Sequence, residues 1–167
     1  LDAKDLPHPR LEVVLTICEE VGLEGATGID MSCCKAKRLL NIDSESEGVF
    51  TAGCAGGMRV NCDFPVETEV KKGILCEVKT VGLLGGHSGI EINKGRANGN
   101  TIIGRFLLYM KGKVAFEIES IVGGVKDNVI PKNAMAKFLV EDVEAVKALV
   151  ADFNKILKTE YAVTDSA

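Results

Sequence analysis

The sequence predicts an α/β protein in two parts, a partial α/β domain over residues 1–64 and an incomplete β-α-β-β-α unit over residues 65–167. Two observations support this division. The first part contains short, continuous apolar runs, which are typical of strands buried on both faces. The second part alternates between the period of a half-buried strand and that of an amphipathic helix.

The first part is predicted to contain short buried strands. Residues 11–17 (LEVVLTI) are one such run and residues 39–42 another, with a short helix expected over residues 31–38. Residues 48–54 and 58–64 are predicted to be strands on either side of a glycine-rich turn. In an open α/β sheet of this kind, ligands collect at the carboxyl ends of the strands.

The second part is predicted to contain five elements in the order strand, helix, strand, strand, helix, at residues 72–84, 97–110, 113–122, 134–140 and 143–157. In the first helix the apolar residues recur on one face, at positions 102, 103, 106, 107 and 110. Asp142 is the expected N-cap of the second helix. This order is that of a ferredoxin-like unit without its last strand.

Composition excludes several classes of protein. The net charge of -4, the pI near 5.3 and the lack of a Lys/Arg-rich tract argue against nucleic-acid binding. No apolar run approaches the roughly 20 residues of a membrane span, and residues 1–10 carry charges where a signal peptide is apolar. The six cysteines include no C-x-x-C pair, so we expect reduced, mostly buried thiols and a cytoplasmic protein.

Acidic residues follow two of the predicted buried strands. Glu19 and Glu20 come after the first strand, and Asp43 comes after the second. Neighbouring side chains of a strand point to opposite faces, so the two glutamates can share a site only if the chain turns, which Gly22 permits. One carboxylate would then bind a metal while the other takes a proton from water. From spacing alone, a solvated acidic loop is the simpler explanation for the glutamates, and a turn or helix cap for Asp43.

Two other residues are candidates for substrate binding. His87 lies in the glycine-dense segment 85–89 (GGHSG), where an imidazole can hydrogen-bond a carbonyl or a developing oxyanion. Asn128 lies between two predicted strands and could recognise a substrate carboxylate or carbonyl. A loop histidine held by Ser88 and a turn asparagine are the alternatives. The only other histidine, His8, is expected in a surface loop, so the metal-ligand inventory is incomplete.

Several segments together resemble the aminoacyl-histidine (Xaa-His) dipeptidases, which are cocatalytic zinc exopeptidases. The resemblance covers about residues 8 to 160 and rests on five segments in the right order: LEVVLTICEEVGL (11–23), NIDSE (41–45), GCAGG (53–57), GGHSGIEI (85–92) and NVIP (128–131). It implies that residues 1–64 belong to a zinc-exopeptidase-like catalytic domain and residues 65–167 to a lid or dimerisation domain.

The resemblance also implies a role for each candidate. Glu19 would be the general base, Glu20 a ligand of one metal and Asp43 a ligand of the other. His87 would reach an active site, often across a dimer, to steady the substrate carbonyl, and Asn128 would bind substrate. The implied cofactors are two divalent ions, zinc first and manganese or cobalt as alternatives, and the implied partners are a dipeptide substrate and a second copy of the chain.

The resemblance is incomplete, because no upstream metal-binding histidine, bridging aspartate or late histidine ligand can be placed, and Ser46 stands where an acid is expected. We therefore expect an internal fragment that is inactive by itself, with a parent enzyme that carries out metal-dependent hydrolysis of dipeptides, of the Xaa-His type by the resemblance. The competing hypothesis is a non-catalytic dimerisation or binding module in which the acids are structural.

Overall fold

The computed structural model describes residues 4–43, 46–53, 56 and 58–166. It divides into two compact units, Leu1–Asp63 and Phe64–Ala167, each of which is described by itself. Residues 44–45 of the NIDSE segment and residues 54, 55 and 57 of the GCAGG segment lie outside the described residues. The catalytic role of the first domain and the lid role of the second stay predictions.

The described residues of the first unit form one short helix, α1 (Glu24–Gly28), and no strand. The strands expected over the four apolar runs, and the helix expected over residues 31–38, are therefore wrong for the described residues. A strand requires a neighbouring strand to pair its backbone N–H and C=O groups, and these runs have no such neighbour in the described chain. Their side chains stay in solvent, with Leu15 87% and Ile42 94% exposed.

The second unit is built on a three-stranded antiparallel sheet of β1 (Ile74–Lys79), β3 (Phe116–Gly123) and β5 (Ala134–Val140), in the order β1-β5-β3. Along the central strand β5, buried and half-buried side chains alternate, and Phe138 is completely buried. This is the alternation expected of a strand with one face against a core.

A second, two-stranded ladder joins segments that were expected to be loops. In it β2 (Gly86–His87) pairs antiparallel with β4 (Val129–Ile130). Gly86 has a φ of 143°, and a Cβ atom there would approach the Arg96 and Glu91 side chains to 2.6 Å. Only glycine therefore fits where the chain enters β2.

Two helices complete the second unit, α2 (Gly99–Met110) and α3 (Val143–Glu160). The side chain of Asn98 caps α2 by accepting from the Thr101 N–H, and Asp142 caps α3, as predicted, by accepting from the Ala145 N–H at 2.9 Å. All five residues of the predicted apolar face of α2 are buried: Ile102, Ile103, Phe106, Leu107 and Met110.

The core of the second unit lies between α2, α3 and β5. The rings of Phe106 and Phe153 meet with centroids 5.5 Å apart, and Phe138 meets Phe116 edge-on at 5.8 Å. The α/β class is confirmed, and the three-stranded sheet with its two long helices follows the predicted order strand, helix, strand, strand, helix. The short strands β2 and β4 are additional to that order. In the part of the chain that the structure describes, no helix is both long and apolar enough to cross a bilayer.

The described cysteines are free thiols, but the expectation that most are buried is wrong. Cys18, Cys33 and Cys62 are exposed, and Cys34 and Cys76 are half-buried. Four of the five belong to the first unit, where the apolar runs that would have buried them do not pack as a sheet.

Candidate functional site

The chain turns tightly at the glutamate pair. The N–H groups of Gly22 and Leu23 both donate to the carbonyl oxygen of Glu19, at 3.2 and 3.1 Å, and Glu20 lies inside this turn. Gly22 has a φ of 112°, and Cys18 and Leu23 are left-handed at 58° and 60°. The turn that two adjacent acids need in order to share a site is present in the backbone.

The described residues alone do not make a metal centre. Glu19, Glu20 and Asp43 are exposed, and the described residues contain no group of three or more His, Cys, Asp or Glu side chains that could hold a metal ion. The Asp43 N–H donates to Asn41 Oδ1 at 3.1 Å, which is an Asx turn. A catalytic zinc site needs about three converging protein ligands, so no reaction step through a metal follows from these residues.

Glu12, for which no sequence pattern predicted a role, joins two distant segments of the first unit. Its Oε2 accepts the N–H groups of Ala36 and Lys35, at 2.9 and 2.7 Å, and its Oε1 lies 3.0 Å from Arg10 Nη2. These backbone donors, Ala36 first, hold the pKa of the Glu12 carboxyl below its usual range. The strand pattern gave no signal for Glu12, because its donors lie 23 and 24 residues along the chain.

His87 is presented in a fixed orientation. Its Nδ1 accepts the N–H groups of Gly89 and Ile90, at 3.0 and 3.3 Å, so the neutral ring carries its proton on Nε2. His87 itself is exposed. The backbone of its own loop therefore sets the tautomer and leaves Nε2–H as the hydrogen-bond donor.

A charged network holds the loop around His87. Glu91 Oε2 accepts the His87 N–H at 2.9 Å, and Glu91 Oε1 lies 2.6 Å from Lys94 Nζ and 3.3 Å from Arg96 Nη1. Arg96 Nη1 also donates to the Gly85 carbonyl. The Lys94 ammonium, followed by the His87 N–H, lowers the pKa of Glu91 to about 2. Glu91 lies in the GGHSGIEI motif, but no pattern in the sequence indicated a role for it or for Arg96.

Asn128 lies directly beside the His87 loop. Its backbone carbonyl oxygen accepts the Ser88 N–H at 2.9 Å, and His87 pairs with Val129 in the β2–β4 ladder. The structure thus brings His87 and Asn128 together, although 41 residues (128 − 87) separate them in sequence. The Asn128 side-chain Oδ1 is buried, and no hydrogen-bond partner reaches it among the described residues.

A cavity of about 570 Å³ adjoins these two segments. Its lining includes the chain neighbours of both candidates and carries more positive than negative side chains. The polar and charged lining residues are Ser88, Arg96, Asn98, Asn100, Lys126 and Asp127. The cavity is open to solvent and its lining is about as apolar as it is polar, and its excess of positive side chains favours a ligand that carries a carboxylate.

Known proteins resemble this chain in both sequence and fold. Residues 78–165 match the family model of the M20 peptidase dimerisation domain. The chain is 37% identical over 163 residues to the cytosol non-specific dipeptidase of Escherichia coli K12, covering 95% of this chain and 34% of that protein. The fold is similar to the crystal structure of aminoacylhistidine dipeptidase from Vibrio alginolyticus, with a TM-score of 0.69 and 33% identity over 91% of this chain and 32% of that one.

The chain spans about a third of the length of these two relatives. Both are dipeptidases by name, which confirms the resemblance to the dipeptidases. The mixed α/β fold fits part of such a peptidase. Through its second unit, the chain belongs to the M20 peptidase dimerisation-domain family.

Proposed function

We propose that the complete protein hydrolyses dipeptides, Xaa-His among them, and that this chain supplies its lid-side histidine and part of its metal site. The observation that carries the proposal is His87, whose Nδ1 accepts two backbone N–H groups and whose loop is bonded to the Asn128 segment through the Ser88 N–H and the backbone carbonyl oxygen of Asn128. The two relatives support the reaction by name, one as an aminoacylhistidine dipeptidase and the other as a non-specific one.

His87 Nε2–H is suited to stabilise negative charge on a peptide carbonyl oxygen. Removing one such donor from an oxyanion site costs about 10²–10³ in kcat. Asn128 contributes a buried acceptor, Oδ1, that lacks a donor among the described residues. Because Oδ1 is buried, it accepts a substrate N–H only after the surrounding loop moves, and that bond would then pair a buried polar group whose unpaired state costs about 1–3 kcal/mol.

We assign Glu19 as the general base that takes a proton from the attacking water and passes it to the leaving amine. Glu20 and Asp43 are proposed as ligands of two divalent ions, zinc first and manganese or cobalt as alternatives. The turn at Gly22 supports the pairing of the two glutamates, because it removes the strand alternation that would separate them. The other ligands are expected from the rest of the complete protein, so the 167 residues by themselves are expected to be inactive.

The oligomer is proposed to be a homodimer formed through the second unit, on the strength of the dimerisation-domain match. The cytosolic relative supports a cytoplasmic location. The proposed partners are dipeptides and a second copy of the protein, with neither nucleic acid nor membrane.

The test of His87 uses the complete enzyme with alanyl-histidine and alanyl-alanine as substrates. His87→Ala is expected to lower kcat by about 10²–10³, whereas the matched control His8→Ala, in an exposed loop, leaves kcat unchanged. A wild-type kcat in His87→Ala contradicts the role of His87. Failure of the complete wild-type enzyme to hydrolyse either dipeptide refutes the proposed function.

The test of the acids compares turnover with metal content. Glu19→Ala is expected to abolish turnover and leave bound metal nearly intact, because a general base is not itself a ligand. Glu20→Ala is expected to lower both. If Glu19→Ala loses metal as completely as activity, the assignment of Glu19 as the base is wrong.

The dimerisation-domain match also favours a second candidate, a non-catalytic dimerisation module. Added zinc or manganese distinguishes the two functions. A thermal shift that disappears in Glu20→Ala supports the metal site. A concentration-dependent dimer whose melting is indifferent to metal, in a complete protein without peptidase activity, supports the module.

A further inference from the structure

The loop that carries His87 is closed at its base by one buried carboxylate. Asp165, which is 6% exposed, accepts the Leu84 N–H on Oδ1 and the Ala97 N–H on Oδ2, each at 3.0 Å. These two amides lie immediately outside the segment that contains β2 and the Glu91 network. A single side chain thus holds both ends of the His87 loop.

Water cannot readily replace the hydrogen bond that Asp165 accepts from Ala97. Ala97 is completely buried, so without Asp165 its N–H would face no acceptor. Asp165 is itself anchored, because its own N–H donates to the carbonyl oxygen of Tyr161 at 3.0 Å, just beyond α3. The end of α3 is tied to α2 in turn by the paired hydrogen bonds from Arg105 to Glu160, at 2.9 and 2.6 Å.

The two hydrogen bonds that Asp165 accepts from Leu84 and Ala97 form a clamp, and residues next to these two link the clamp to the His87 imidazole. Arg96 precedes the clamped Ala97, and its guanidinium donates to the carbonyl of Gly85, which follows the clamped Leu84. The same guanidinium lies 3.3 Å from the Glu91 carboxylate that accepts the His87 N–H. A change at the base of the loop therefore reaches the backbone that orients the ring.

We propose that Asp165 is a positioning residue for His87, which holds the loop in the geometry that directs Nε2–H toward the substrate carbonyl. The inference rests on the proposed function for the role of His87, whereas the clamp stands on the two hydrogen bonds. Asp165 touches no reacting atom and acts only through the loop.

The first experiment measures the loop in the 167-residue chain, by amide hydrogen exchange over residues 84–97 and by the ¹⁵N shifts of the His87 ring. In Asp165→Ala we expect these amides to exchange at least about tenfold faster, and the ring shifts to move toward the average of the two tautomers. Asp165→Asn keeps one acceptor oxygen and is expected to give a smaller change, and it remains usable if Asp165→Ala does not fold.

The matched control is Asp142→Ala. Asp142 is also an aspartate that accepts a backbone N–H, but it caps α3 and has no contact with the loop among its described hydrogen bonds. It is expected to leave the exchange of residues 84–97 and the His87 shifts unchanged. The proposal is overturned if Asp165→Asn has the same loop exchange and ring shifts as the wild type. It is also overturned if Asp142→Ala changes them as much as Asp165→Asn does.

The second experiment is a double-mutant cycle in the complete enzyme. Asp165→Asn is expected to lower kcat at least about tenfold with KM within about twofold, because a misplaced catalytic group costs rate rather than binding. In the His87→Ala background, Asp165→Asn is expected to cause no further loss. Additive losses overturn the positioning role. If His87→Ala alone keeps full activity, the proposed function of His87 fails, while the exchange measurement still decides whether Asp165 orders the loop.

Discussion

Replacing Thr80 by valine tests the hydrogen bond that joins the end of β1 to the start of β5. Thr80 is 8% exposed, and its Oγ1 accepts the Ala134 N–H at 2.8 Å. Its own proton can be donated to the carbonyl oxygen of Lys132 or of Ala134, at 3.3 and 3.4 Å. Valine has nearly the same shape without the hydroxyl, so Thr80→Val leaves the buried Ala134 N–H without this acceptor.

The expected loss follows from that unpaired donor. Leaving a buried N–H unsatisfied costs about 1–3 kcal/mol of unfolding free energy. In a unit of about 100 residues, each kcal/mol shifts Tm by about 4–8 °C, so the melting temperature should fall by roughly 4–24 °C. The packing of β1 on β5 is otherwise kept, because Thr80 and Val fill similar volumes.

The assay is urea and thermal unfolding of the 167-residue chain, followed by circular dichroism, for Thr80→Val and Thr80→Ser. Serine keeps the hydroxyl and loses only a methyl group, so its midpoint is expected closer to the wild type. Stability of Thr80→Val within about 0.5 kcal/mol of the wild type would refute the reasoning. So would a serine variant that is as unstable as the valine variant.

Three other predictions follow from the second unit. Phe138→Ala should lower the unfolding free energy in urea by about 3–5 kcal/mol, whereas Leu108→Ala, at a side chain 70% exposed, should stay within about 0.5 kcal/mol; equal effects would contradict the assigned core. Glu91 has a folded pKa of about 2 against an ordinary 4.5, so its contribution to loop stability is present above about pH 4.5 and is lost as the pH falls toward 2. As the pH falls from about 4.5 toward 2, amide exchange of the His87 loop, corrected for intrinsic rates, should become faster in the wild type and not in Glu91→Gln. A corrected exchange rate of the wild type that does not change with pH would contradict this. Asp142→Ala should cost about 1 kcal/mol in urea unfolding and Asp142→Asn much less, whereas equal losses would argue against the cap.

The elements of the second unit could be predicted because local patterns determine them. The helical spacing at positions 102 to 110 identified every buried side chain of that stripe, and β5 has the bounds that its alternating pattern predicted. Asp142 was recognisable as a cap because the atom it binds lies three residues away. These interactions involve near neighbours in sequence, which are the ones that a sequence pattern records.

The first unit could not be predicted in the same way. A continuous apolar run such as residues 11–17 indicates a buried strand only if partner strands and covering helices exist, and pairing is a long-range property. Among the described residues these runs have no partner strand, and most of their apolar side chains are exposed. The apolar pattern therefore does not correspond to a buried strand. The turn at Gly22 was foreseen, because glycine's access to positive φ is a local property.

The candidate site shows the same division between local and long-range interactions. His87 and Asn128 could be singled out one at a time, but their proximity depends on the β2–β4 ladder, which no pattern marked. The role of Asp165 could not be predicted from a sequence pattern, because the amides it binds lie 81 and 68 residues away. Such contacts become visible only when the fold brings distant segments together.

The two halves of the proposed site therefore differ in what holds them. His87 is oriented entirely within the second unit, by backbone N–H groups, Glu91 and the Asp165 clamp, so its geometry should already be complete in this chain. Glu19 and Glu20 are exposed and belong to no metal-binding group among the described residues, so the metal chemistry proposed for them requires further ligands. We accordingly expect the His87 ring shifts to be the same in this chain and in the metal-free complete enzyme. Different shifts would mean that the rest of the protein, rather than the loop and its clamp, orients the histidine.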